Sequence, residues 1–189
     1  MLKLEIENPY TKKEILSSFD DISEKVINFY SDIDPKIFFH KGLGGWSPAQ
    51  NLAHITFINT ATVYLFHIPK FLFLPFRIFS KPRSYTEVHQ DYIFGSKTIP
   101  LGPLGPEEIE MPSDPKKEIE SLCSAWKDIC IQLKLVARNM DEEDMDKYFI
   151  IHPTLGGLSL RETFFLILIH PIHHSYNVEK KIENYLKQI

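Results

Sequence analysis

Apolar residues recur at helical spacing in four long segments of the chain. In the first, Ile15, Phe19, Ile22, Val26 and Phe29 form one stripe, and Lys13, Asp20, Asp21, Ser23 and Glu24 occupy the opposite face. Thr11 and Glu14 open it with a capping box, in which each side chain satisfies a free backbone N–H. In the second, Ser47 caps, Pro48 takes the first helical position and Gln50 completes another box. From Ala49 to about Leu65 that segment is apolar on most sides, as expected of a helix central to a bundle. The third starts with Asp114 as cap and Pro115 in the first turn, and buries Ile119, Leu122, Cys123, Trp126, Ile129, Cys130, Leu133, Val136 and Ala137. The fourth opens with Ser159 and Glu162, a third capping box, and runs to about Lys187.

The intervening segments read as connections. Asp32 to Trp46 predicts a loop, and its glycines in Lys41–Gly45 lack the spacing and Lys-Ser/Thr ending of a phosphate-binding loop. Tyr64–Phe79 is rich in Phe and Leu but broken by Pro69 and Pro75. Lys81–Pro115, with the proline- and glycine-rich run 100–106, predicts turns and extended chain without a packed helix. Asp141–Asp146 reads as an acidic turn, and Tyr148–Ile151 as a short extended piece. His152-Pro153 and Gly156-Gly157 are turn signals. The expected architecture is an all-α four-helix bundle with a long Pro/Gly-rich crossover between helices two and three.

Composition narrows the function classes. A chain of 189 residues suits one domain, 1–189, with residues 66–113 as an elaborated connection. With 43% hydrophobic and 24% charged residues it is too apolar to be disordered. Twenty-one Lys and Arg against 25 Asp and Glu give a net charge of −4, with no basic stripe, so nucleic acid is not an expected partner. The first residues carry Glu5 and Glu7 and no apolar core, so no secretory signal is read there. No run reaches the ~18 apolar residues of a transmembrane segment. Cys123 and Cys130 would lie about 10 Å apart along a helix, beyond the ~7 Å reach of a disulfide. Two reduced thiols and a cytoplasmic location are expected.

Three of the eight histidines invite chemistry. His170 and His174, one turn apart, share a stripe with Ile167, Val178 and Tyr185 that points to the bundle interior. His54 shares a stripe with Gln50, Phe57, Ile58 and Ala61, also candidates for the interior. Two helices can thus aim three imidazoles at one point, where a divalent ion would satisfy buried nitrogens that otherwise need hydrogen-bond partners. His170 with His173 is an allowed alternative, though His173 is rotated about 100° from His174. Pro171 removes the bond to the carbonyl of Ile167 and predicts a kink between the two histidines. Asn51, Tyr176 and Asn177 are candidates to hold the ligand rings, and His152 is an extra ligand, a proton shuttle or a turn residue. His40, His67 and His89 lie in or beside loops. Trp46 and Trp126 read as packing residues.

Three motifs in order carry a family resemblance. Trp46-Ser-Pro-Ala-Gln-Asn-Leu-Ala-His54 resembles the helix-two motif of the DinB/YfiT-like superfamily of metal-binding four-helix bundles, which ends in a metal-binding histidine. His152-Pro-Thr-Leu-Gly-Gly-Leu-Ser-Leu160 resembles the turn before its last helix, and His170 and His174 occupy the place of the final two ligands. Asn177 stands where the family often has Gln. The resemblance implies a three-histidine site of His54, His170 and His174, with dimers common among relatives. It also implies chemistry with a low-molecular-weight thiol, as in thiol-dependent transferases and isomerases.

Three neutral imidazoles leave a first-row ion with open positions, and bound zinc would bring water or a thiol to its anion near neutral pH. Zinc is the first expectation and nickel the second. The expected function is a metal-dependent S-transferase or hydrolase acting on a small molecule. One alternative is a bundle that metal only stabilises. The other is a peripheral membrane or partner-binding protein using 64–79, where aromatics stand beside Lys70, Arg77, Lys81 and Arg83.

Overall fold

The computed structural model describes residues 6–76, 82–95 and 106–188. Four long helices, α1 (Lys12–Ser31), α3 (Pro48–Phe66), α5 (Pro115–Asn139) and α7 (Leu160–Leu186), form a bundle. Short elements join them: α2 (Pro35–Phe38), a 3-10 segment (Lys70–Phe76), α4 (Tyr85–Gly95), α6 (Glu142–Lys147), β1 (Phe149–His152) and β2 (Gly156–Ser159). Both α1 and α3 pack against α5 and against α7. Chain neighbours α1 and α3 therefore face each other across one diagonal of the bundle, and α5 and α7 across the other. The order around the core is α1, α5, α3, α7, which places α3 beside α7.

The three capping boxes form at Thr11/Glu14, Ser47/Gln50 and Ser159/Glu162, and Asp114 caps α5. The core between the helices is aromatic and aliphatic. Phe19 and Tyr30 of α1, Leu52 and Ile55 of α3, Trp126 and Leu133 of α5, and Phe164 and Phe165 of α7 are all fully buried. Cys123 and Cys130 are buried free thiols of α5, and burial pushes the Cys130 thiol up to about 12.

Three connections differ from the sequence reading. The segment 32–46 holds the short helix α2, started by Asp34 and Pro35. The expected acidic turn at 141–146 is the helix α6, whose Met145 plugs into the core. Within 81–115, read as turns and extended chain, Tyr85–Gly95 is a helix packed on α7. A capping box of Ser84 and Glu87 starts it, a local signal that the sequence reading passed over, and only Tyr85 and Val88 of it are buried. An anchor just before it ties it to the bundle. Arg83 donates from its Nε (2.7 Å) and its backbone N–H (3.0 Å) to Glu162, and from Nη2 to the Gly157 carbonyl (2.9 Å). The buried Glu162 thus caps α7 and tethers α4 with one carboxylate. The prolines and glycines of 100–105 lie outside the described residues.

The extended piece becomes a β-hairpin in the register Phe149↔Ser159 to His152↔Gly156. His152 closes its turn, its Nδ1 accepting from the backbone N–H groups of Thr154 and Leu155 at 3.3 Å each. Gly156 adopts φ +69°, a left-handed backbone in which a side chain would be strained. Helix α7 is continuous through Pro171. Among the described residues, no helix is long and apolar enough to cross a membrane.

Candidate metal centre

Helices α3 and α7 bring His54, His170 and His174 together. Their ring centroids are 5.2 Å (54 to 170), 4.9 Å (54 to 174) and 4.6 Å (170 to 174) apart. One ring nitrogen from each lies within 4.8 Å of those of the other two. All three residues are buried. The face of α3 differs from the expected one. Phe57 is 61% exposed and Ala61 is also exposed, whereas the buried stripe runs through Asn51, Leu52, Ile55, Asn59 and Val63, with His54 on its flank. A segment apolar on nearly every side carries no moment to choose between faces, so packing against α5 and α7 makes the choice.

Electrostatics keep the cluster neutral. Burial pushes all three imidazoles below the ordinary histidine value, and each neighbouring ring that might charge adds to this for His170 and His174. His170 is held at about 3. Neutral imidazole is the form that offers a lone pair. The Nδ1 of His170 is buried without a hydrogen-bond partner among the described residues, an orphan that a bound cation or its water would satisfy.

Asn51 sets the tautomer of His174. Its side-chain N–H2 donates to the carbonyls of Trp46 (3.2 Å) and Ser47 (2.9 Å), which leaves its Oδ1 to face His174. His174 Nδ1, 2.7 Å away, must therefore carry the proton, and Nε2 keeps its lone pair free. Neither of the other two candidates bonds a ring of the cluster, although Asn177 lines the same cavity. Tyr176 is on the exposed side of α7, and Asn177 bonds His173 Nε2 at 2.9 Å and not a member of the cluster. His173 itself turns from the group toward Tyr92, with ring centroids 5.4 Å apart.

The cluster opens into a cavity of about 650 Å³. Trp46, read as a packing residue, lines it: its ring lies parallel to that of His174 at 6.0 Å and 4.9 Å from that of His54. Ile58, Leu166 and Ile167 supply apolar wall, and the hairpin residues Ile150 to Thr154 close one side. His152 lines the cavity but is not among the three convergent histidines, and its hydrogen bonds place its neutral-form proton on Nε2. Tyr92 of α4 contributes a ring 6.0 Å from His170. Neither Tyr92 nor Lys181, another lining residue, stands out in the sequence, because each enters the site through tertiary packing alone.

The remaining singled-out residues serve elsewhere. His40 packs on Tyr185, and His67 caps the end of α3 by donating to the Val63 carbonyl at 2.7 Å. His89 stacks on Tyr85, and Trp126 is core. In the aromatic stretch, Tyr64, Ile68, Phe71 and Leu72 are exposed, Phe73 is buried and Lys70 pairs with Asp144. Residues 77–81 lie outside the described residues.

The sequence model of the DinB superfamily matches residues 34–176, a span that includes all three clustered histidines. No curated protein matches the chain. Among solved structures it is similar to YfiT from Bacillus subtilis, described as a probable metal-dependent hydrolase with an unusual four-helix bundle topology. The TM-score is 0.56 at 11% identity, covering 96% of this chain and 93% of that one. The likeness is one of fold.

Proposed function

This chain belongs to the DinB superfamily, and on that premise we propose that it is a metal-dependent enzyme that acts on a small molecule, with His54, His170 and His174 as the ligands of one divalent ion. The single observation that carries the reading is the meeting of three buried, uncharged imidazoles at the wall of a substrate-sized cavity. A structural site would be closed over, whereas ligands beside open volume leave room for a guest. Three imidazoles accept several first-row ions, and zinc is the first choice with nickel second.

When bound, such an ion supplies Lewis-acid activation of water or of a thiol. The protein supplies the rest. Asn51 holds the His174 ring in one tautomer. Ile58 and Ile167 keep the surroundings apolar, which strengthens every polar interaction inside. His152 lines the cavity as a neutral imidazole whose Nδ1 is held by the hairpin turn, which leaves its Nε2–H to donate a hydrogen bond to a guest. Hydrolysis is the first reaction class, in line with the description of YfiT, and transfer of a low-molecular-weight thiol is the second.

The test begins with elemental analysis of purified protein and of His54→Ala, His170→Ala and His174→Ala. About one divalent ion per chain is expected in the parent and a sharp loss in each variant. Ester, amide and thiol-conjugation panels follow, with and without chelator. Metal at full occupancy with no turnover on any panel would leave only a stabilising role, which a large fall in melting temperature on chelation would then support.

A further inference from the structure

Lys181 lies two helical turns beyond His174 on α7, half-buried, and lines the same cavity. Its ammonium approaches the glycine turn before α3 so closely that a Cβ on Gly45 would come within 2.8 Å of Nζ. Gly45 also has φ +126°, a backbone conformation that favours glycine, so both the backbone and the nearby ammonium disfavour a side chain there. Lys25, Lys70 and Lys134 each have a carboxylate partner, but Lys181 has none among the described residues. No Asp or Glu is among the described residues lining the cavity. Burial without a counter-charge pushes its pKa down, and its charge is felt at His174. A half-buried, unpaired ammonium is costly to keep unless something completes it.

The groove has a direction. Asn51 bonds His174 and Phe66 stacks on Phe164, so α3 and α7 run antiparallel along it. Lys181 sits at one end, the histidines follow, and Ile58, Leu166 and Ile167 lie beyond them. Asn59, 1% exposed, also lines it, and among the described residues neither its Oδ1 nor its Nδ2 has a partner.

We infer that Lys181 is the anion-recognising residue of this site and that the substrate is a small organic anion, its carboxylate or phosphate head on Lys181 and its apolar body along the groove beside the three histidines. The inference rests on the proposed function for its location, and its test does not depend on turnover. Phenylacetate, the uncharged phenylacetamide and phenyl phosphate are titrated into chelated and zinc-loaded protein, followed by the fluorescence of Trp46, with Trp46→Phe as the control for the reporter. The chelated arm removes any anion binding to metal. In that arm the anions should bind roughly tenfold or more tightly than the amide. Lys181→Met should abolish this preference without changing amide affinity, and Lys181→Arg should keep it. Preference for phenyl phosphate over phenylacetate assigns the head as phosphate, and the reverse assigns carboxylate. Binding of both anions no tighter than that of phenylacetamide, or a preference that survives in Lys181→Met, overturns the inference. If zinc fails to bind while the lysine-dependent preference holds, the metal reading falls and this one stands. If zinc binds at one per chain without any preference, this one falls alone.

Discussion

Replacing Asn51 with Ala tests whether the tautomer of His174 is what makes the cluster bind metal. The change deletes three hydrogen bonds: the one from His174 Nδ1 at 2.7 Å and those to the carbonyls of Trp46 and Ser47. Losing a partner that orients a ligating imidazole typically weakens metal binding about 10- to 100-fold. That is roughly 1.4 to 2.8 kcal/mol of binding free energy at about 1.4 kcal/mol per decade. The two amide bonds also hold the start of α3, and their loss should cost about 1–2 kcal/mol of folding stability. Competition with a chelator of known zinc affinity measures the first effect, and urea unfolding in chelator measures the second. Gln50→Ala is the control, because Gln50 caps the same helix through the Ser47 N–H and, among the described residues, makes no hydrogen bond to any of the three histidines. It should lower stability and leave zinc affinity nearly unchanged, because its hydrogen bonds go to Ser47 and to the carbonyls of Pro106 and Glu107 and not to a ligand ring. Unchanged zinc affinity in Asn51→Ala, or an equal loss in Gln50→Ala, would refute the argument that Asn51 works through the ring of His174.

Three further outcomes are expected. His173→Ala should keep the metal stoichiometry of the parent while His174→Ala loses it, since His173 turns toward Tyr92 and Asn177; elemental analysis of the pair decides it. The metal-free protein should be acid-labile: above pH ~6.5 the histidines are neutral in both states, and below it the unfolded chain takes protons that buried His170 (about 3) and His174 refuse. Stability is therefore lost as pH falls from ~6.5 toward ~3, by about 3 kcal/mol from His170 alone near pH 4.5, and urea titrations across that range would detect it. Arg161→Leu should cost about 2–3 kcal/mol, measured the same way, because it strips a buried guanidinium from Asp146 (2.6 and 2.8 Å) and from the Tyr10 carbonyl, with Asp146 partly solvated afterwards.

Legibility in the sequence follows the range of the interactions. Capping boxes are local: Thr11 with Glu14, Ser47 with Gln50 and Ser159 with Glu162 satisfy backbone donors three residues away, so the starts of three long helices can be read directly. The stripe Ile15 to Val26 points at a core because α1 is polar on its other side, and His170 and His174 share a face because four residues make about one turn. The chain by itself thus determined four long helices and the pairing of two imidazoles.

Contacts between segments far apart in the chain decided the rest. Helix α3, apolar nearly all round, had no preferred face until α5 and α7 packed on it, which exposed Phe57 and turned Asn51 to His174 across 123 residues. Helix α4 holds few buried residues and owes its place to Arg83 reaching Glu162 across 79. Trp46, Tyr92 and Lys181 become wall of one cavity because α3, α4 and α7 meet there. No periodicity records such meetings: a side chain's pattern along its own helix gives its angle, and only the packed neighbours give what that angle faces.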